Sequence, residues 1–167
     1  GYCDFKNRMT PAYILKQIQQ ISMEHCDREN IGIPFLAAHG VAFLLAKIKL
    51  KITRLPQGGE PITAETAAYM PYRSQYPRIT RFFDEKGNVL LEADARWVLV
   101  DIEKRRIVRR MPPVLDQPIF GVAQEFQDYK IPRVLYTNDV REKVKVRYSM
   151  TDTNQHLNNA VYASVIS

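Results

Sequence analysis

Ile14, Leu15, Ile18, Ile21, Ser22, His25 and Cys26 recur every three or four positions, with Lys16, Gln17, Gln19 and Gln20 mostly between them. That spacing predicts an amphipathic helix over roughly 10 to 28. Thr10-Pro11 makes a good start for it, because threonine accepts a hydrogen bond from an orphan amide and proline at the first helical position loses nothing. Gly32 and Pro34 lie beyond its end as breakers. From Ala46 the period falls to two: Ala46, Ile48, Leu50 and Ile52 alternate with Lys47, Lys49, Lys51 and Thr53, which predicts a strand with one buried face. Pro56-Gln57-Gly58-Gly59 turns the chain into a Thr-rich strand over 62–70, and 79–102 reads as two strands joined at Glu85-Lys86-Gly87-Asn88. Ala93, Ala95, Trp97 and Leu99 share one face of the last strand, which places Trp97 in the core.

After Arg110 the pattern stops. Pro112, Pro113, Pro118 and Pro132 punctuate a stretch without sustained period, read as a connection over 111–142. A new alternating strand, KVKVRYSM at 143–150, precedes a helix starting at Asn158 and carried by Val161, Tyr162, Val165 and Ile166. One long helix followed by antiparallel strands with short links suggests a sheet wrapped about a central helix, an α+β arrangement that matches the hotdog fold. Residues 1–110 then form a first domain, and 143–167 contribute the opening strand and helix start of a second.

Composition narrows the function classes. Hydrophobic residues make up 46% of the 167 and charged ones 25%, which excludes a disordered chain. Lys and Arg number 24 against 18 Asp and Glu, so the net charge of +6 favours an acidic partner: nucleic acid, an anionic membrane or an acidic protein. Cys3 and Cys26 are the two cysteines and show no paired spacing, so they read as free thiols of a reducing compartment, and the protein as cytoplasmic. The longest strictly apolar run, VAFLLA at 41–46, is too short to span a bilayer.

The two ends of the chain are related. With Asp4 set on Asp152, Lys6 meets Asn154, Arg8 meets His156, Met9 meets Leu157 and Thr10 meets Asn158, so a helix starts at the same distance after each aspartate. Internal duplication follows. The first copy keeps the aspartate and lacks the Asn and the His. At this point the sequence resembles the acyl-acyl-carrier-protein thioesterases of plants and bacteria, in which two hotdog domains occur in tandem and the second begins D-x-N-x-H-x-N-N-x-x-Y. Asp152, Asn154, His156, Asn158, Asn159 and Tyr162 occupy every one of those places. The first domain resembles the family through TPAYILKQIQQ, KIKLKITRLPQGGEPITAET and ARWVLVDIEKRRIVR.

A thioester carbonyl needs an activated water, a group to hold it and donors for the oxyanion. Asp, Asn and His just ahead of a helix N-terminus supply polar side chains beside free amides aimed at negative charge. The resemblance implies that Asn154 and His156 position and polarise water or thioester, that Asp152 assists, and that a further acidic residue lies downstream of this chain. The structural alternative is a turn of capping Asx residues with a solvated histidine. A calcium loop is rejected, since Leu157 and Ala163 stand where it needs Gly and Glu. His25 and His39 have no partners at metal-ligand spacing and read as structural. No metal and no cofactor is expected.

Two basic clusters are left: the strand row Lys47, Lys49 and Lys51, and a turn holding Lys104, Arg105, Arg106, Arg109 and Arg110. Each is either a solvated charged face or a dock for acidic acyl carrier protein, the partner the resemblance implies. Nucleic acid is disfavoured, because no aromatic stacking groups interleave with these charges. Hydrolysis of fatty acyl carrier protein thioesters is thus the leading function. A non-catalytic acyl-thioester binding protein comes next, and a basic nucleic-acid-binding domain is a distant third. Asp4 and Asp152 are 148 positions apart, and only three residues precede Asp4, so the chain reads as a window cut from a longer protein and is expected to be inactive alone. Its detached strand 143–150 can fill the place of a missing opening strand, within the chain or by exchange in a homodimer.

Overall fold

The computed structural model describes residues 2–115, 118–121, 126–132, 145–150, 161 and 163. Helix α1 runs Pro11–Arg28, with Thr10 as its N-cap accepting from the Tyr13 amide at 3.3 Å. Ile14, Ile18 and Ser22 are its buried residues, one stripe at the predicted spacing. Gly32 and Pro34 do more than end it. They open a second, unpredicted helix, α2 (Ile33–Ala38), where the missing amide of a first-turn proline costs nothing.

Five strands follow: β1 (Val41–Ile52), β2 (Thr63–Ala68), β3 (Tyr76–Phe83), β4 (Val89–Asp101) and β5 (Arg106–Ile107). They form one antiparallel sheet in the order β1-β4-β3-β2, with β5 pairing the far end of β4. The β3–β4 hairpin sits at the predicted turn. There the Asp84 carboxylate accepts from the Lys86 and Asn88 amides at 2.9 and 2.8 Å, and Gly87 takes φ +78°. The sheet curves over α1, which is the hotdog arrangement the pattern of elements predicted.

β1 corrects the predicted period. It begins at Val41 rather than Ala46, and its register slips between Leu45 and Lys47. Ala46 is the extra, exposed residue of this bulge. Val41, Phe43 and Leu45 therefore share the inner face with Ile48 and Leu50, which an unbroken alternation would put on opposite sides.

Two apolar clusters fill the inside. Ile14 and Ile18 pack on Phe82, Leu91 and Ala93, and Ile14 is fully buried. Truncating such an isoleucine to alanine costs about 2–5 kcal/mol. The second cluster joins Ile31, Leu36, Val41 and Leu99 to Leu115, Ile119 and Phe120. Those last three lie in the stretch read as a connection, yet they are buried in the first unit's core through two 3-10 turns, Pro113–Leu115 and Pro118–Phe120. The strand expected over 143–150 is absent from its described part: Tyr148–Met150 is a 3-10 turn. A strand needs a neighbour for its amides and carbonyls, and the described sheet is made of β1 to β5.

Candidate functional site

Asp152, Asn154, His156, Asn158, Asn159 and Tyr162 lie outside the described residues, and beside them Val161 and Ala163 are helical. Their counterparts in the first copy are described. The Asp4 carboxylate accepts from the Lys6 and Arg8 amides, both at 2.9 Å, and from Arg8 Nε and Nη2 at 3.0 and 2.8 Å. The Arg8 amide first, and then the Arg8 side chain and the Lys6 amide, hold the Asp4 carboxyl below the usual carboxylate range. Where the second copy has His156, the first has Arg8, whose guanidinium is engaged by the Asp4 carboxylate. The first-copy loop is closed on itself by a local ion pair, a structural role.

The described part of the site is a cavity of about 250 Å³ between α1, α2 and the inner face of the sheet. A single water needs only about 10–15 Å³ on the same measure, so this space suits a larger guest. Met23, Leu36, Phe43, Leu45, Trp97 and Phe120 give it apolar walls. Its polar floor is Arg78 on β3, in register between Ala68 on β2 and Ala95 on β4. These small neighbours leave the guanidinium room to lie under the helix.

Arg78 is only 6% exposed. Its Nη1 donates to His25 Nδ1 at 3.0 Å and to Thr66 Oγ1 at 3.2 Å, and its Nη2 to Cys26 Sγ at 3.6 Å. Accepting from a guanidinium fixes His25 Nδ1 as unprotonated. Burial, and then the Arg78 charge, push the His25 pKa down, so the imidazole is neutral. Burial raises the Cys26 thiol and lowers the Arg78 guanidinium. Two more polar atoms of cavity-lining residues, Tyr76 Oη and Trp97 Nε1, are buried without a hydrogen-bond partner among the described residues. Burial drives the Tyr76 pKa up to about 12, so its phenol is protonated and able to donate. Among the described residues, no three His, Cys, Asp or Glu side chains converge as a metal site would require.

The basic residues separate by surroundings. Lys47 is not a free docking group: its ammonium pairs with the Asp128 carboxylate and donates to the Tyr129 carbonyl at 2.6 Å. Lys49 and Lys51 are exposed and stand opposite Asp94 and Glu92 in register, so their row faces an acidic one on β4. Arg105, Arg106, Arg109 and Arg110 are exposed around β5, and none makes an ion pair among the described residues. Lys104 pairs with Asp101 at 3.6 Å.

Sequence reading missed Arg78 as a site residue, and read His25 as structural and Cys26 as a free thiol. A signal existed. Alternation back from Phe82 through Thr80 puts Arg78 and Tyr76 on the buried face, but starting the strand at Ile79 hid it.

Comparison with known proteins agrees with the fold and the family resemblance. The family model described as the acyl-ACP thioesterase N-terminal domain matches residues 1–117, and that of the C-terminal domain matches 135–167. The chloroplastic acyl-[acyl-carrier-protein] hydrolase FATB2 of Cuphea viscosissima is 22% identical over 164 residues, covering 89% of this chain and 40% of the relative. The chain thus spans about 40% of the length of the curated relatives it matches. The 12:0-ACP thioesterase of Umbellularia californica superposes with a TM-score of 0.81 at 16% identity, over 98% of this chain and 68% of that one. An acyl-ACP thioesterase of Bacteroides thetaiotaomicron gives 0.79 at 18%, over 99% and 67%. With matches to both of its domain models, and the first spanning most of the sequence, the chain belongs to the acyl-ACP thioesterase family.

Proposed function

We propose that this family member hydrolyses fatty acyl thioesters of acyl carrier protein, releasing the free fatty acid that ends chain elongation in fatty acid synthesis. The observation that carries the reading is the complete D-x-N-x-H-x-N-N-x-x-Y motif inside a matched C-terminal domain. An apolar cavity in the adjoining first unit supports an acyl substrate. In this reading Asn154 and His156 position and polarise water or the thioester, Asp152 orients them, and the exposed Arg105, Arg106, Arg109 and Arg110 meet the acidic carrier. A cytoplasmic location belongs to the same proposal and rests on two free thiols.

The test gives the full-length protein a panel of acyl carrier protein thioesters of graded chain length, with free thiol release as the readout. His156→Ala or Asn154→Ala should lower turnover on the order of a hundredfold or more, as when a positioned acid–base or polarising group is lost. Binding without thiol release across the panel would refute hydrolysis and leave a non-catalytic acyl-thioester binding protein.

A further inference from the structure

Arg78 poses a physical problem. A guanidinium withdrawn from water is costly unless an anion answers its charge. Its three partners are a neutral imidazole, a hydroxyl and a thiol whose pKa is raised, none of them an anion. No carboxylate pairs with it among the described residues. Two further donors of cavity-lining residues, Tyr76 Oη and Trp97 Nε1, are unanswered among the described residues too. A protein seldom leaves one such group, and here a cation and two donors belong to residues that line one space. The remaining wall is largely hydrocarbon.

The missing partner is therefore an acceptor carrying negative charge on an apolar body. We propose that this cavity is a binding site for the carboxylate form of a free fatty acid, its head on Arg78 and its tail along Phe43, Leu45 and Met23. A carboxylate matches the guanidinium fork and takes a charge-assisted bond that an ester or an alcohol cannot reproduce. This places the acid head-inward, deep under α1. A fatty acid so held occupies the space open to an acyl chain, so the released product restrains further turnover. The inference rests on the proposed acyl chemistry only for that consequence; binding itself is read without turnover, so failure of either leaves the other standing.

Trp97 is the single tryptophan of the chain and lines the cavity, which supplies the readout. The 167-residue chain is titrated, below micellar concentrations, with dodecanoate, methyl dodecanoate, dodecyltrimethylammonium and acetate, following Trp97 fluorescence. Dodecanoate should bind at least about tenfold more tightly than its methyl ester, the cationic amphiphile should be rejected, and acetate should bind far more weakly for want of a tail. In Arg78→Met the acid and ester should bind alike, while Arg78→Lys, which keeps a point charge without the fork, should retain part of the preference. Equal affinity for acid and ester in the unaltered chain overturns the proposal, and so does a preference that survives in Arg78→Met. Should Arg78→Met fail to fold, the acid-to-ester ratio in the unaltered chain and in Arg78→Lys decides the matter alone.

Discussion

Arg78 and Arg96 sit on neighbouring strands of one sheet, both buried, at 6% and 1% exposure, and they point to opposite faces. Around Arg96 the protein supplies the counter-ion itself, although Nη1 is buried without a hydrogen-bond partner among the described residues. Its Nε and Nη2 grip the Asp94 carboxylate at 2.6 and 2.8 Å, Nη2 also donates to the Gln127 carbonyl at 3.3 Å, and the Phe126 and Tyr129 rings lie 4.7 and 5.5 Å from the guanidinium. Tyr129 Oη donates to the Asp94 carbonyl at 2.8 Å. Segment 126–129 is thus strapped across the outer face, where Lys47 holds it by Asp128. Around Arg78 no described residue plays the part of Asp94. The same residue type is a fastener where its counter-ion is built in, and a candidate ligand group where the counter-ion is missing.

The largest expected effect breaks the fastener. Asp94→Ala leaves Arg96 buried with no anion and should lower the free energy of unfolding by about 3 kcal/mol, the low end for a buried pair deprived of one partner because Asp94 keeps some solvent contact. Urea denaturation measures it. If the loss is no larger than for a surface pair, about 0–1 kcal/mol, then the two arginines do not differ as described. Asp4→Ala, by contrast, removes an exposed pair and several amide contacts, and should affect folding while leaving bound ligand affinity unchanged.

A smaller loss sharpens the role of the strap. Tyr129→Phe deletes one hydrogen bond to the Asp94 carbonyl and should cost about 1 kcal/mol in the same measurement. On the inner face the sign reverses. Arg78→Met removes a buried charge that has no counter-ion among the described residues, so stability should hold or rise by about 1 kcal/mol. A marked loss would mean that the neutral partners satisfy Arg78 on their own.

The smallest effect is electrostatic. His25 has its folded pKa pushed below its ordinary value of 6.5, by burial first and the Arg78 charge second. The unfolded chain then binds more protons in the window between the ordinary pKa and the lowered one. His25 thus contributes stability that is fully present above about pH 6.5 and is lost as pH falls through the folded pKa. Arg78→Met should move the folded pKa part of the way back up and shrink this dependence, which NMR titration of the His25 ring reads directly. No movement would show that burial alone sets it.

Helix α1, the β3–β4 hairpin and the buried face of β4 were legible in the chain, because each rests on local chemistry: a cap, an Asx turn with a positive-φ glycine, an alternation of two. The D-x-N-x-H motif was legible for the same reason. Its relation to Asp4 shows in spacing alone. Other features needed the folded sheet. The bulge at Ala46 inverts the faces of β1 through pairing with β4, which no run of residues 41–52 contains. Leu115 and Phe120 are drawn into the core by a surface assembled from distant strands, in a stretch whose prolines read only as punctuation. Lys47 and Arg78 make the point from both sides. Each is a basic residue in a strand, and the sequence by itself determined that each would lie on one face or the other. Whether a carboxylate waits there is a matter of which chain segment crosses that face, so tertiary structure alone gave Lys47 its Asp128 and left Arg78 facing a cavity.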